Sequence, residues 1–399
     1  MNVSVLKQLA GRVTTPAYIF DIDAFAARVS LVQEAFGEKT GICFSIKANP
    51  FLLKCLPEAF DKIEVCSPGE LTICERTGMD MRKVIFSGVN KTRADVERAM
   101  DDGVGVFTVE SWLHLQLINE SAMARGLQVP VLVRLTAGSQ FGMDEKDVLA
   151  LIDQREQYPG VNIVGLHYFS GTQKRKAAAI DKELDKVMDF VKRVADEHAF
   201  RLERLEYGTG LAVDYFSPEA DEMERARLEA ISAKIREVSQ QIELTVEMGR
   251  FFAAPCGSYL TRVMDVKTNE DVHYAIVDGG LNQLKYDGQI QGMQIPQIVH
   301  LKAEEKARTE EAKPWTLCGS LCTTADVLAR NAMFAELEIG DILVFERTGA
   351  YSVMEGMAVF LSREMPQVWL YSEQNGPVML REMLYTDRFN TPMMNLLEE

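Results

Sequence analysis

No run of about 20 apolar residues, the length a helix needs to cross a bilayer, occurs anywhere in the 399-residue chain. The first twelve residues, Met1 to Arg12, hold no long apolar stretch either, so no secretory leader is expected and the cytoplasm is the expected compartment. Basic residues are in deficit: 43 Lys and Arg stand against 59 Asp and Glu, a formal net charge of -16. Such a surface disfavours nucleic acid and anionic membranes as partners, while leaving room for a local basic pocket around an anionic ligand. No His or Cys pair at metal spacing accompanies Cys318 and Cys322, so no metal site is expected. The seven cysteines are an odd number in a chain with no leader, which fits reduced thiols. Internal repeats and low-complexity tracts are absent.

What is present is an ordinary globular balance, 47% hydrophobic and 26% charged, in a chain long enough for two or three domains. Eight short β-rich runs recur: Ile42–Ile46, Ile63–Val65, Val84–Phe86, Gly105–Thr108, Val131–Leu135, Ile163–His167, Leu205–Tyr207 and Leu244–Glu247. Between them lie segments such as Val148–Gln154 and Asp181–Glu197 with apolar residues at three-to-four spacing. Alternating strands and helices predict parallel βαβ units, and eight of them predict a closed (β/α)8 barrel, with a doubly wound open sheet as the alternative. Beyond about residue 255 the helices fade. Ser258–Val266, His273–Val277, Trp315–Leu317, Asp341–Glu346 and Val368–Tyr371 read as strands of an all-β domain. Gly340-Asp341 reads as a turn, and Leu301–Lys313, rich in charge, as a solvated loop. Pro16 to Phe20 precede the barrel and are expected to pair with the later strands. The expected domains are a barrel over 22–255 and a β-sandwich built from 1–21 and 256–399.

In a barrel, chemistry gathers at the C-terminal ends of the strands. The first run ends in Ser45-Ile46-Lys47-Ala48-Asn49-Pro50. A lysine directly after a buried run is either a snorkelling side chain or an amine with a lowered pKa that forms a Schiff base with an aldehyde. The second run supplies Glu64, then Cys66 to Glu70. The fifth carries Arg134, and the sixth runs His167-Tyr168-Phe169-Ser170-Gly171-Thr172-Gln173. The seventh enters Gly208-Thr209-Gly210, a turn that is either a plain connection or a phosphate seat made of backbone N–H groups. The eighth ends in Glu247-Met248-Gly249-Arg250, where the carboxylate either pairs with Arg250 or holds a protonated pyridine nitrogen.

These pieces, in this order, resemble the fold-type III decarboxylases that depend on pyridoxal 5'-phosphate (PLP), the family of ornithine, arginine and diaminopimelate decarboxylases. The resemblance runs over roughly residues 15 to 375 and implies an alanine racemase-type TIM-like α/β barrel with a C-terminal all-β domain. Ser45–Pro50 resembles the family's lysine motif, which implies that Lys47 carries PLP. Glu247–Arg250 is similar to a Glu-Pro-Gly-Arg motif with Met248 in place of proline. It implies Glu247 at the pyridine nitrogen and Arg250 near phosphate and substrate. Gly208–Gly210 resembles the triple-glycine phosphate loop. The resemblance further implies cofactor contacts for Glu64, Arg134, His167 and Ser170. Gly349-Ala350-Tyr351 is similar to the motif whose tyrosine binds phosphate. The segment Leu317–Asp326 looks like the one with the catalytic cysteine, which makes Cys322 the implied proton donor, supplied across a symmetric homodimer with shared active sites.

Three departures stand out. Phe169 takes the place of a histidine that usually stacks on the ring. Thr323 follows Cys322 where an acidic residue is common. The segment after Asp278–Asn282 reads Gln283-Leu284-Lys285-Tyr286-Asp287, with no arginine to grip a distal carboxylate. Arg250, Lys285, Tyr286 and Thr323 are the expected substrate contacts. The pattern is similar to the branch acting on modified or carrier-linked amino acids. The basic run Lys174-Arg175-Lys176 is either a docking patch for an acidic carrier or a solvated loop. The alternatives are a diaminopimelate decarboxylase, a PLP-dependent racemase and a non-catalytic regulatory homologue.

Overall fold

The computed structural model describes residues 1–303 and 311–392. The chain divides into two compact units. One comprises residues 26–213 and 221–252; the other comprises 1–25, 214–220 and the chain from 253 onward. The short segment 214–220, which the sequence gives no reason to separate, therefore belongs with the second unit.

The first unit is a closed barrel of eight parallel strands: Gly41–Ser45, Lys62–Val65, Val84–Phe86, Val106–Val109, Val129–Arg134, Val161–Phe169, Arg204–Gly208 and Glu243–Met248. Closure is direct, since the last strand pairs with the first through Ile42↔Val246 and Cys43↔Glu247. Each of the eight β-rich runs of the sequence coincides with one of these strands to within two residues at either end. The open-sheet alternative is thereby excluded. The strands are short because each is nearly all buried, with apolar residues facing helices on one side and the barrel interior on the other. Cys43, Ile85, Val106, Leu132 and Val164 fill one level of that interior.

The helices form where apolar spacing and caps agree. In Ala177–His198, Ile180, Leu184, Val187, Phe190 and Val194 recur every three to four residues and are all buried. Ser67, Thr92 and Ser111 cap three other helices by accepting backbone N–H groups, with a reciprocal capping box between Thr92 and Asp95. These caps end the loops that follow the second, third and fourth barrel strands, and so fix where those loops leave the barrel mouth.

The second unit is a hydrogen-bonded network of nine strands. Its spine is the long strand Gly257–Asn269. The first part pairs with Ala17–Asp21 and Ile342–Glu346. After a bulge between Val263 and Asp265 the rest pairs with Val272–Val277, so one strand serves two sheets. The strand Ala17–Asp21 also pairs, in parallel, with Gln367–Ser372. The expected pairing of the N-terminal residues with the late strands is thus found. The helix Val3–Ala10, capped by Asn2, was not expected; its Leu6 and Leu9 pack into a core with Ala17, Ile19, Leu260 and Val344. Three strands also lie where none was expected: Ile298–Leu301, Val327–Phe334 and Gly376–Arg381. The first and the strand Lys313–Cys318 bound the segment read as a loop, whose residues 304–310 lie outside the described ones.

Candidate cofactor and active site

Lys47 owes its position to a break in secondary structure. The first barrel strand stops at Ser45, and Ile46–Ala48 form a single 3-10 turn. Asn49 then accepts the N–H of Phe51, which starts the next turn. The lysine side chain remains 38% exposed, with its amine among acids. Nζ donates to Glu64 Oε2 at 2.7 Å and lies 3.6 Å from Glu247 Oε1 and 3.5 Å from Cys66 Sγ. An ammonium partly withdrawn from water needs compensation, and two carboxylates supply it.

Glu247, on the last strand, is 8% exposed. Ser45 Oγ donates to its Oε1 at 2.5 Å, and His167 Nε2 lies 3.1 Å from its Oε2. Burial alone would raise its pKa, but Lys47 and His167 outweigh burial and hold the carboxyl well below the usual range. Glu247 is therefore ionised. A carboxylate only accepts, so the facing Nε2 of His167 carries the hydrogen.

Glu206 behaves in the opposite way. It is 2% exposed on the seventh strand, beside the Cys43 thiol, which acts on it as a hydrogen-bonding neighbour. Burial, then the charges of Glu247 and Glu64, push its pKa well above the ordinary value, so it is a neutral acid. The same causes, burial first, raise the Cys43 thiol.

Arg134, at the end of the fifth strand, donates to Glu110 Oε1 at 2.9 Å, and its guanidinium stacks over Phe141 at 4.7 Å. The Gly142 N–H closes on the other oxygen of Glu110 at 3.3 Å. Nearby Lys91 is buried; desolvation lowers its pKa to about 8, against the pull of Glu110. Arg134 thus anchors the loop that follows its own strand.

The seventh strand ends at Gly208, where an added Cβ would come within 2.5 Å of the Phe169 ring. Gly210 has φ +58, and a Cβ there would stand 1.9 Å from the Gly171 carbonyl and 3.3 Å from Thr172 Cα. Only glycine fits, because Gly171-Thr172 lies flat against the turn. Ser170 faces elsewhere: its hydroxyl donates to Glu183 Oε1 at 2.6 Å. Glu183 also accepts Lys174 at 2.6 Å and Tyr207 at 2.8 Å. Thr172 is therefore the hydroxyl residue that the fold lays against the glycine turn. The signal for it was its own sequence neighbourhood, Gly171-Thr172, facing a second glycine turn.

The barrel mouth thus holds an amine at the end of a strand, an ionised carboxylate facing inward and a glycine turn. Residues 22–254, more than half of the chain, match the family model described as the pyridoxal binding domain of pyridoxal-dependent decarboxylases. The chain belongs to this family. It is 26% identical over 389 residues to an L-glutamyl-[BtrI acyl-carrier protein] decarboxylase of Niallia circulans, covering 92% of this chain and 91% of that protein. It is 28% identical over 395 residues to a diaminopimelate decarboxylase of Pseudomonas aeruginosa, covering 94% and 92%. Among solved structures, the M. jannaschii diaminopimelate decarboxylase with L-lysine superposes with a TM-score of 0.84 at 24% identity, covering 98% of this chain and 95% of that one, which shows the same fold.

The cofactor of this decarboxylase is pyridoxal 5'-phosphate, and the barrel suits its three chemical features. Lys47 offers an amine for the aldehyde. Glu247 is a buried anion for a protonated ring nitrogen. The glycine turn admits no side chain where a phosphate would approach the backbone. Gly249 strengthens the fit: a Cβ there would stand 2.8 Å from Ala48 Cβ, so the Glu247 and Lys47 segments touch through it. Arg250 opens the short helix Arg250–Ala253 immediately beyond.

The other unit of the decarboxylase carries the remaining predicted residues. Tyr351 has φ +67, a left-handed conformation unusual for a non-glycine, and its carbonyl accepts the N–H groups of Met354 and Glu355. Ser352 donates to the Lys285 carbonyl, joining the Tyr351 turn to the substrate-side segment. Asp326 ties that segment to the cysteine: its carboxylate accepts the N–H of Leu281 and of Leu321, each at 2.8 Å. Cys322 and Thr323 lie exposed between Leu321 and Asp326. Tyr286 is buried, its hydroxyl donating to the Glu346 carbonyl at 2.6 Å. Of the basic run, Lys174 is already paired with Glu183, while Arg175 and Lys176 are exposed.

Proposed function

We propose that this enzyme removes the α-carboxylate from an amino acid presented as a conjugate, modified or linked to an acyl carrier, with Lys47 holding the cofactor and Cys322 donating a proton to the α-carbon. One observation carries the substrate half of this reading. The segment from Leu281 to Gln291 lines a cavity of about 260 Å³, with Leu281, Leu284, Leu328 and Met357 as its apolar wall and Tyr286, Gln289 and Gln291 as its polar part. The one cation among the described residues lining it, Lys285, is paired with Glu355 at 3.1 Å. A partly apolar wall with a self-neutralised rim suits an uncharged arm; a free distal carboxylate would meet no unpaired cation among these residues.

When bound, pyridoxal phosphate supplies an electron-withdrawing ring that accepts the electron pair left by departing carbon dioxide. The chain does the rest. Glu64, 2.7 Å from Lys47 Nζ, accepts the proton that the amine must lose to become a nucleophile. Glu247, held by Ser45 and His167, would hold the cofactor's ring nitrogen, supplying a fixed negative charge for a protonated pyridine. Gly208, Thr209 and Gly210 would offer backbone to the phosphate, with Arg250 as a further ligand. Phe169 supplies an aromatic face without an exchangeable proton. Cys322, on an exposed segment, is assigned to the active site of a second copy in a homodimer.

A diaminopimelate decarboxylase is the second reading. It is favoured by comparable identity to that group, and it would require Lys285 to leave Glu355 for the distal carboxylate. Carbon dioxide release from free glutamate, free meso-diaminopimelate, a glutamyl-pantetheine thioester and carrier-linked glutamate separates the two. Conjugates should exceed either free amino acid in kcat/KM by at least about tenfold. Activity confined to free meso-diaminopimelate would overturn the proposal. In Cys322→Ala, carbon dioxide release should slow while cofactor absorbance stays unchanged.

A further inference from the structure

Lys285 and Glu355 carry the only charges among the described residues that line the cavity of the second unit, and they meet at 3.1 Å. Two other polar side chains of the lining are already engaged. Tyr286 donates its hydroxyl to the Glu346 carbonyl at 2.6 Å. Gln289 donates to the Gln294 carbonyl at 2.6 Å and accepts the N–H groups of Ile290 and Gln294, each at 3.1 Å. The charge that the cavity presents therefore rests on one pair. Glu355 owes its place to the backbone. Its N–H donates to the Tyr351 carbonyl at 2.9 Å, in the turn that starts at the left-handed Tyr351. Ser352 of the same turn donates to the Lys285 carbonyl. Gly356 lies flat on Asn282, where an added Cβ would stand 2.2 Å from the carbonyl oxygen. The turn and the Lys285 segment are thus held side by side, and the carboxylate meets the lysine. The two side chains are 53% and 44% exposed, and an ion pair so wet adds little to stability. What it changes is the field inside the cavity, where an entering group meets no net charge.

We infer that Glu355 is a specificity-determining residue: by neutralising Lys285 it makes the cavity reject a substrate arm that ends in a carboxylate and accept one that ends in an amide or thioester. The inference deepens the proposed function and rests on its placement of the substrate's arm in this cavity. A carboxylate that enters must displace one already in contact with the lysine, and then lie beside it; like charges so placed repel. An amide does neither, because it donates to Glu355 and accepts from Lys285 at once. Specificity here comes from a repulsive element set against the wrong arm, and Glu355 supplies it. Removing that carboxylate leaves a lone ammonium on the cavity wall, which inverts the preference.

The probes are pimelate and its monoamide, equal in length and different in one terminal charge. Each is measured as an inhibitor of the holoenzyme acting on whichever substrate releases carbon dioxide. In wild type the monoamide should bind the more tightly. Glu355→Gln should shift the ratio of the two inhibition constants toward pimelate by about fivefold or more, the scale of a well-placed exposed charge pair. That shift should shrink at about 1 M salt, where charges are screened within about 3 Å. Lys285→Gln, which leaves the carboxylate alone, should move the ratio the opposite way, and Glu355→Asp should hold it near wild type. A packing role would not give opposite signs in the two Gln variants. An unchanged ratio in both, a shift of the same sign in both, or tighter binding of pimelate by wild type would overturn the assignment. If Glu355→Gln does not fold, the sign in Lys285→Gln decides. Turnover by wild type confined to free meso-diaminopimelate is a different failure, that of the proposed function, and is read without any variant.

Discussion

Ser45 Oγ donates to Glu247 Oε1 at 2.5 Å across the seam where the first and last barrel strands pair. Ser45 precedes Lys47 by two residues, and its hydroxyl fixes the Glu247 oxygen that lies 3.6 Å from Nζ. Hydrogen bonds to a charged group contribute about 1.5–3 kcal/mol. Ser45→Ala should therefore weaken PLP affinity by about tenfold or more, with little change in the β unit. Fluorescence titration of the apo-enzyme with PLP measures this directly.

Gly210 admits no side chain. Alanine at this position would adopt φ +58 and drive its Cβ into the Gly171 carbonyl. The turn must open, and strain of about 1–3 kcal/mol is expected from the backbone conformation alone. Gly210→Ala should lower the melting temperature of the apo-enzyme and reduce affinity for inorganic phosphate and PLP together. Gly103, also at positive φ but with open space around it, is the control: Gly103→Ala should leave phosphate affinity intact.

The acidity of Glu206 makes apo-enzyme stability depend on pH in a defined direction. Its folded pKa lies well above the ordinary glutamate value of 4.5 that holds in the unfolded chain. Above about pH 4.5 the unfolded chain releases this proton while the folded one keeps it. Stability therefore falls as pH rises through that window, by up to about 1.4 kcal/mol per pH unit for one group. Glu247 has the opposite sign: its folded pKa is depressed, so its contribution is present above about pH 4.5 and is lost as pH falls. Denaturant midpoints measured from mildly acidic to neutral pH should decline less steeply in Glu206→Gln than in wild type.

Asp326 accepts two backbone N–H groups, one from Leu321 beside Cys322 and one from Leu281. Asp326→Ala would leave both without that acceptor and loosen Cys322 without touching the barrel. Turnover should fall by about tenfold or more while PLP affinity stays unchanged. Asp326→Asn, which keeps one acceptor oxygen, should fall between the two. Steady-state kinetics alongside a PLP titration separate the effects.

The barrel was legible in the sequence because each strand is a buried apolar run bounded by polar or glycine residues, and each intervening helix shows regular apolar spacing. Val327–Phe334 was not, since its Ala-Arg-Asn-Ala centre lacks β-branched residues and its pairing with Lys313–Cys318 is what makes it a strand. Gly376–Arg381 opens with Gly-Pro and leaves much of its side-chain surface exposed, which hid it for a related reason. In the site, motif order picked out Lys47 and Glu247, which stand at strand ends. Glu206 and Glu110 were passed over, although a glutamate between Leu205 and Tyr207, in the middle of a buried run, was itself the signal. Ser170 and Thr172 stand two residues apart, and sequence order does not say that the Ser170 hydroxyl turns toward Glu183.

The strand Ala17–Asp21 lies between Gly257–Asn269 and Gln367–Ser372. One of its two neighbours is therefore synthesised only after all eight barrel strands, and the other later still. The nascent N-terminus must wait as an unpaired edge while the barrel assembles behind it, and edges of that kind invite association with other chains. Slowing translation between residue 255 and the strand Gln367–Ser372 would lengthen that wait, which makes the codons of that stretch a point of control over how much enzyme reaches its native state.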